Sequence, residues 1–460
     1  MDAKEFDLNA LMAQRPLSPL QLRIWLLCAL IAVLDGIDSQ AIVIAAPSLA
    51  QSFGMKVIAF GPVFSIALLG GVVGAMLCGS LSDAFGRKRV LVAATCVFAL
   101  FTLMTAFVES YESLLAIRFL AGLGLGGAVP CFLALSSEYT PSHRRGAVAS
   151  LLWAGFPLGG MVGGFMNAFV VAHFGWPAIF YVGGVLPLIV AIALMIALPE
   201  SAAYLAMRDS QSDRLRGIAE RIAGRSFERG TRFSTTEPKT PGAPVVLLLT
   251  QGRTIGTLIL WLSFFASFGL LGLVVLWTPA VLQGAGLAAS ATATVLGFHG
   301  LGALLGMGAA GSIVHKLGVR LALLPALVVA AACTWLLGNV SSVVEASAVM
   351  ALIGVFLGSG ASGLIALASQ VYPTAMRSTG LGWAMGMGRL GQVVGPLVTG
   401  RLMLGGMTSG VVMELLAVLP IVVGLALLGL RVPSAEEPVR RTSDGEVSLP
   451  PLASSQPRRA

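Results

Sequence analysis

Charge is scarce in this chain. Of 460 residues only 11% are Asp, Glu, Lys or Arg, whereas 56% are hydrophobic, and the mean hydropathy is +0.89. A soluble domain carries about 25% charge, and a water-soluble chain of this length could not cover its surface with so few ionic groups. The formal net charge of +8 does not point to nucleic acid, because the basic residues sit in short loops between apolar runs. Cysteine pairing is absent as well. The five cysteines (Cys28, Cys78, Cys96, Cys131, Cys333) are scattered through apolar segments with no CxxC, and read as small packing residues. No His/Asp metal spacing, GxSxG or HExxH occurs, so nothing supports an enzyme, and neither a metal nor a cofactor is expected. The opening stretch MDAKEFDLNALMAQRPLSPLQ is polar and mixed in charge without an apolar core, so no cleaved signal peptide is expected.

What is abundant is long apolar runs. A helix needs about 20 apolar residues to cross the ~30 Å hydrocarbon core. Twelve runs qualify, at about 22–46, 58–80, 89–108, 112–136, 146–170, 177–198, 254–280, 291–314, 320–338, 343–369, 377–401 and 408–430. The fold class expected is an all-α integral membrane protein of twelve transmembrane helices in two pseudo-symmetric six-helix bundles. The expected boundaries are an N-terminus over 1–21, bundles over 22–198 and 254–430, a polar central loop over 199–253 with a short basic helix and a Pro/Thr-rich linker, and a disordered tail over 431–460. Arg87, Lys88, Arg89, Arg144, Arg145, Lys316, Arg320 and Arg377 all follow even-numbered runs, and Lys56 is the clear exception. By the positive-inside rule both termini and the central loop face the cytoplasm, and a bacterial cytoplasmic membrane is the expected location.

The halves repeat. Slid by 232 positions, GSLSDAFGRKR (79–89) falls on GSIVHKLGVRL (311–321). Gly70 meets Gly302, Gly86 meets Gly318, Gly122 meets Gly354, Pro141 meets Pro373, Gly159 meets Gly391 and Gly163 meets Gly395. Two parallel six-helix repeats are the pattern of carriers that rock one half against the other around a midplane site.

With these residues in view, the sequence resembles the major facilitator superfamily. Gly79, Asp83, Gly86, Arg87, Lys88 and Arg89 stand in register with its loop 2–3 signature. A finer resemblance is to its aromatic acid:proton symporters, through LDGIDSQAI, RFLAGLGLGGAVP, SSEYTP, PES, WTPAVLQGAGL and YPTAMRSTGLGWAMGMGRLGQVVGP. The resemblance implies proton-driven uptake of hydroxybenzoates or protocatechuate, with spans 1, 4, 7, 8, 10 and 11 bordering a central cavity. It also implies that Asp83, with Arg145 and Glu138, forms a charge-relay latch between the halves on the cytoplasmic side. Three positions depart from the pattern: His315 in the second loop copy, His299 and Cys131. The His299 and Cys131 changes bear on substrate choice and His315 on gating.

The charges inside the spans carry the chemistry. An acid at the centre of a spanning helix costs roughly 2.5–3.5 kcal/mol on insertion scales, yet Asp35 and Asp38 share one face of the first run. They lie roughly 20 and 24 Å from the cytoplasmic edge. Arg118 lies roughly 9 Å, and His299 roughly 12 Å, from the outer edge, and Arg389 roughly 18 Å from the inner one. Five polar groups therefore converge in depth. None of these acids or arginines is duplicated by the repeat: the positions 232 on from Asp35, Asp38 and Arg118 hold Ser267, Leu270 and Met350, and the one 232 back from Arg389 holds Pro157. Duplicated glycines read as structure, unduplicated charges as function. Arg389 offers a planar fork to an anionic substrate. Asp38, with Asp35 as coupled partner, is the expected proton carrier. A structural hydrogen-bond knot between spans 1 and 4 is the competing reading of the acids, and neutralising an acid is that of Arg118. His299 reads as a ring-hydroxyl donor, a proton relay or a polar packing residue. Phe156, Trp153, Phe298 and Trp383 are candidates for an aromatic slot. The expected partners are a small aromatic carboxylate, the proton and membrane lipid, acting on a monomer with no nucleic acid. Another small organic acid, or export of a drug or metabolite, is the alternative.

Overall fold

A computed structural model describes residues 5–13, 16–228, 231–234, 245–250, 253–340, 342–372 and 376–430. The disordered tail expected from 431 and the Pro/Thr-rich linker around 235–244 lie outside the described residues, as does the side chain of His315.

The chain folds into helices that begin where side chains can cap them. Strand β1 (Glu5–Asp7) and helix α1 (Leu8–Ala13) precede the first long helix, α2 (Pro19–Ser52). There Ser18 and Gln21 exchange backbone bonds in a capping box, and Pro19 supplies a first position that needs no donor. Then come α3 (Gly61–Phe85), α4 (Arg87–Met104), α5 (Tyr111–Glu138), α6 (Arg145–Phe174) and α7 (Trp176–Ala197). The central segment holds α8 (Ala202–Arg208), α9 (Asp213–Ala223) and β2 (Arg232–Ser234). The second half runs through α10 (Thr254–Gly284), α11 (Ala289–Leu337), α12 (Val343–Val371), α13 (Arg377–Leu404) and α14 (Ser409–Leu428). Ser110, Ser342 and Thr408 cap α5, α12 and α14.

Among the described residues, eleven helical spans are long and apolar enough to cross a membrane, two of them within α11, which kinks at Gly318 (φ 77°). The expected eleventh run is α13, whose 28 residues suffice in length. Its seven glycines and three arginines dilute its hydropathy.

Helices in lipid gain nothing from expelling water, so close backbone contact holds them together. The repeat shows in that contact. A Cβ on Gly70 would lie 2.2 Å from the Phe119 carbonyl oxygen, and one on Gly302 would lie 2.0 Å from that of Ala351. Gly122 sits equally tightly on Ala67, and Gly354 on His299; Gly159 sits on Val33, and Gly391 on Phe265. In each case both partners are displaced by the same 232 residues. The first bundle is thus α3 on α5, α2 on α6 and α4 on α5 and α7; the second is α11 on α12 and α14, with α10 on α13.

The bundles meet at one end. The Ser65 hydroxyl donates to the Val393 carbonyl at 2.7 Å. Gly61 faces the Pro396 carbonyl, Gly164 faces Gly297, and Phe64 packs edge-on against Trp277. All of these lie toward the end opposite the central segment. Toward the central segment, Gly382 and Gly386, on the α13 face that carries Arg389 and Val393, have nothing within 4 Å of a Cβ among the described residues. The interior therefore opens on the side of the central segment.

One feature is added to the all-helical expectation. β1 pairs in parallel with β2, Phe6 opposite Phe233, and Phe6, Phe227 and Phe233 cluster within 5.1–6.5 Å. With Leu8, Met12 and the apolar face of α9 (Leu215, Ile218, Ile222), they join the core of the first bundle as a cap over its end.

Substituting a larger residue for Gly122 is expected to cost about 1–3 kcal/mol, because the neighbouring backbone cannot yield. Gly122→Val should lower the thermal midpoint of the purified protein clearly, whereas Gly308→Ala, whose Cβ meets nothing within 4 Å, should leave it unchanged.

Candidate functional site

The carboxylates of α2 divide into two environments. Asp38 is sealed in the first bundle. Arg118 of α5 donates to Asp38 Oδ2 at 2.9 Å and to Oδ1 at 3.4 Å, and the Thr102 hydroxyl of α4 donates to Oδ1 at 3.1 Å. Both ionic side chains are 3% exposed. Such a pair survives because the fork geometry and the added hydroxyl satisfy the carboxylate; losing one partner would strand a buried charge. The knot between the first and fourth spans is therefore present.

Asp35 stands one turn earlier and is half-buried. It feels the positive charge of Arg389 from the second bundle, the negative charge of Asp38, and the Ser39 hydroxyl beside it. Arg389 is likewise half-buried, on α13. Asp35 and Arg389 therefore lie within electrostatic reach of one another across the interface between bundles, without a direct ion pair among the described residues. Gly36, between the two acids, serves a backbone rather than a ligand: a Cβ there would lie 2.1 Å from the Phe156 carbonyl oxygen.

The other candidates take varied places. Phe156 is 40% exposed beside this crossing. Trp383 stacks on Trp261 of α10 with centroids 5.6 Å apart and planes at 21°. His299 is 5% exposed and its Nε2 has no hydrogen-bond partner among the described residues. Its neighbour Gly300 abuts the Gly160–Met161 backbone of α6, where Gln40 of α2 also lies. Cys131 does not bear on a ligand: it is fully buried between α5 and α3, with its thiol directed at the Gly127 and Cys78 carbonyls.

At the end of the central segment, Arg87 pairs with Glu138 and lies 3.7 Å from Asp83. Ser201 also donates to Glu138, at 2.5 Å. Gly86 adopts φ 101°, and a Cβ there would strike the Glu200 carboxylate at 2.7 Å, so glycine is required twice over. Arg145 donates to the Thr140 carbonyl. Arg89 is exposed beside the central segment, and Gly79 meets open space. The Arg87 pairs lie within the first bundle, and Asp83 is 73% exposed.

Sequence reasoning missed four participants: Thr102, Ser201, Gln40 and Asn167. Gln40 Oε1 and both amide atoms of Asn167 are buried without partners among the described residues. Buried amides inside apolar runs are the signal that singles out the last two; Thr102 and Ser201 carry none, since Ser and Thr are ordinary in spanning helices.

Two bundles joined at one end, with unduplicated charges at their junction, define a membrane carrier of the rocking type. The chain belongs to the Major Facilitator Superfamily, whose profile matches residues 28–396. It is 36% identical to the 4-hydroxybenzoate transporter PcaK of Pseudomonas aeruginosa over 87% of this chain and 90% of that protein. It is 34% identical to the gallate transporter of Pseudomonas putida, over 92% and 94% of the two chains. Among solved structures, the D-xylose-proton symporter superposes with a TM-score of 0.71 at 18% identity, over 90% of this chain and 98% of that one.

Breaking the sealed pair from either side should be costly. Arg118→Ala is expected to destabilise the protein by about 3–5 kcal/mol, and Thr102→Ala by about 1 kcal/mol. A double-mutant cycle between Asp38→Asn and Arg118→Gln, read by thermal unfolding, should show strong coupling; additive losses would contradict the pairing.

Proposed function

We propose that the protein imports small aromatic carboxylates of the hydroxybenzoate or protocatechuate kind, together with protons, by alternating access. One observation carries the reading: Asp35 of the first bundle lies within electrostatic reach of Arg389 of the second, beside an Asp38–Arg118 ion pair whose charges already balance. The names of the aromatic-acid relatives support the substrate class.

The charge balance supplies the coupling. With Asp35 ionised and the site empty, Asp35 and Arg389 sum to zero. With Asp35 protonated and a substrate carboxylate on Arg389, the sum is again zero. The half-loaded states carry a net charge of one unit, and closing the cavity over an unbalanced charge costs several kcal/mol. The empty and doubly loaded carriers therefore rock and the half-loaded ones do not, which gives one proton per carboxylate. Protonating Asp35 also removes the competitor for Arg389, so proton and substrate favour each other's binding. In this reading the mobile proton is carried by Asp35 rather than Asp38, because both Asp38 oxygens are committed to Arg118 and Thr102.

Around this centre, the exposed Trp383 on Trp261 and Phe156 supply apolar faces for a ring. The unpaired Nε2 of His299 suits a ring hydroxyl. The state described is open toward the central segment, which the positive-inside pattern assigns to the cytoplasm. In it Glu138 and Asp83 of the expected latch pair with Arg87 inside the first bundle, and Arg145, its third expected member, donates to the Thr140 carbonyl. The chain is placed in a bacterial cytoplasmic membrane as a monomer, both termini inside.

In proteoliposomes, an imposed inward proton gradient should drive accumulation of labelled 4-hydroxybenzoate and protocatechuate. Asp35→Asn should abolish accumulation while preserving substrate exchange; Arg389→Ala should abolish both, and Arg389→Lys should lose on the order of tenfold in uptake because the fork is gone. Transport of other monocarboxylates with no aromatic uptake would overturn the substrate class. Full gradient-driven accumulation by Asp35→Asn would overturn the coupling. His299→Phe is expected to reduce the preference for 4-hydroxybenzoate over benzoate, about tenfold or more, in competition assays.

A further inference from the structure

Beneath the first bundle, outside the central cavity, lies a cleft of about 590 Å³ between the start of α4, the segment after α7, α8 and α9. That is within the range of small-molecule sites, about 300–1,000 Å³. Lys88, Arg89, Arg214 and Arg221 line it, against Glu200 and Asp213. The two acids are spoken for. Glu200 Oε1 accepts the backbone N–H groups of Lys88 and Ser201, each at 2.9 Å, and Asp213 pairs with Arg216 at 2.9 Å. Arg89, Arg214 and Arg221 make no ion pair among the described residues. Three arginines without an ion pair among the described residues therefore line the cleft, giving it an excess of positive charge over the Glu200 carboxylate.

A second observation points to a ligand there. Tyr204 lines the same cleft, is 7% exposed, and its hydroxyl is buried with no hydrogen-bond partner among the described residues. A buried phenol without a partner is costly, and arginine forks beside a hydroxyl donor match the oxygens of a phosphate group. The position adds the source. Pro199 and Glu200 of the cleft follow directly on the end of α7, whose last two turns carry the exposed apolar side chains Ile192 (49%) and Ile196 (81%). A phosphate held in the cleft can keep its acyl chains along these side chains. Basic residues at a membrane boundary are attracted to anionic lipid.

We propose that this cleft binds the phosphate headgroup of an anionic phospholipid, with Arg214, Arg221 and Arg89 holding the oxyanion and Tyr204 donating its hydroxyl. Lys88 and Arg89 follow directly on Arg87, so a bound headgroup grips the same turn that carries the Arg87–Glu138 pair. The site is independent of the transported substrate.

The test uses the full-length protein in a neutral maltoside detergent. Phosphatidylglycerol, phosphatidylcholine or inorganic phosphate is added, and retained lipid is read by native mass spectrometry with thermal unfolding alongside. Phosphatidylglycerol should be retained and should raise the unfolding midpoint, and phosphatidylcholine should do neither. Arg214→Gln/Arg221→Gln and, separately, the shape-conserving Tyr204→Phe should each weaken phosphatidylglycerol retention on the order of tenfold, with unfolding in its absence unchanged. Equal retention by wild type and both variants would overturn the site. Stabilisation by inorganic phosphate without lipid retention would overturn the lipid as its occupant.

Discussion

The constraint on which the structure rests is the approach of helix backbones to within contact of one another. Gly70 on Phe119, Gly122 on Ala67 and Gly159 on Val33 leave no room for a side chain, and their counterparts 232 residues on repeat the arrangement. In water such crossings would compete with hydrophobic burial. In lipid they are the main source of helix attraction, because tails solvate Leu as well as Leu does. The glycines accordingly sit where helices cross, and the exposed large side chains, such as Ile196 and Leu425, cover the outside. A scaffold held by backbone contact is also rigid, and that rigidity is what lets one bundle move against the other as a body. The interface between bundles is made of the same material: Gly61, Gly164, Gly297 and Gly300.

On this symmetric scaffold the charges break the symmetry. Asp38, Arg118 and Thr102 join three helices of the first bundle at one point. The second bundle holds Leu270 and Met350 where the first has the ionic partners, and only Thr334 survives, bonded to its own helix at the Ala330 carbonyl. The sealed pair is electrically silent at distance, yet it orients the helix face that presents Asp35. Removing it would take away one of the two contacts, with Gly36 on α6, that fix the rotation of α2. The division of labour is therefore between a carboxylate that fixes α2 and a carboxylate, one turn away, that meets the other bundle.

Much of this was legible in the sequence because bilayer physics restricts the choices. A run of about 20 apolar residues has one fate, and a 232-residue offset that preserves glycines announces two equivalent bundles. The convergence in depth of Asp35, Asp38, Arg118 and Arg389 followed from a rise per residue. What the sequence could not say is which acid meets which arginine. Asp35 and Asp38 differ by one turn, and the choice of partner depends on the rotation of α2, which Gly36 seated on α6 determines. The burial of Cys131 between α5 and α3 was out of reach for the same reason, since it depends on the azimuth of a side chain on its helix. The β1–β2 pair lay beyond pattern reading, since three-residue strands joined across more than 200 residues leave no periodicity.

The cap has a mechanical consequence that depends on neither substrate nor sidedness. The chain start and α8, α9 and β2 attach to the first bundle through Leu8, Met12, Leu215, Ile218 and Phe233. Tyr139 at the end of α5 donates to the Glu200 carbonyl at 2.6 Å, and Gln21 of α2 donates to the Tyr139 carbonyl at 2.8 Å. The ends of α2, α5 and α7 are thereby tied into one piece. Burial raises the Tyr139 phenol above its ordinary range, so it stays a donor across physiological pH. When the bundles rock, the cap must travel with the first bundle. The strain of the movement then falls on the glycine-lined contacts at the opposite end. Because the cap also carries Ser201, bonded to Glu138, the Arg87 pair is referenced to this rigid body. Asp83 is left as the exposed member, free to find a partner when the second bundle approaches.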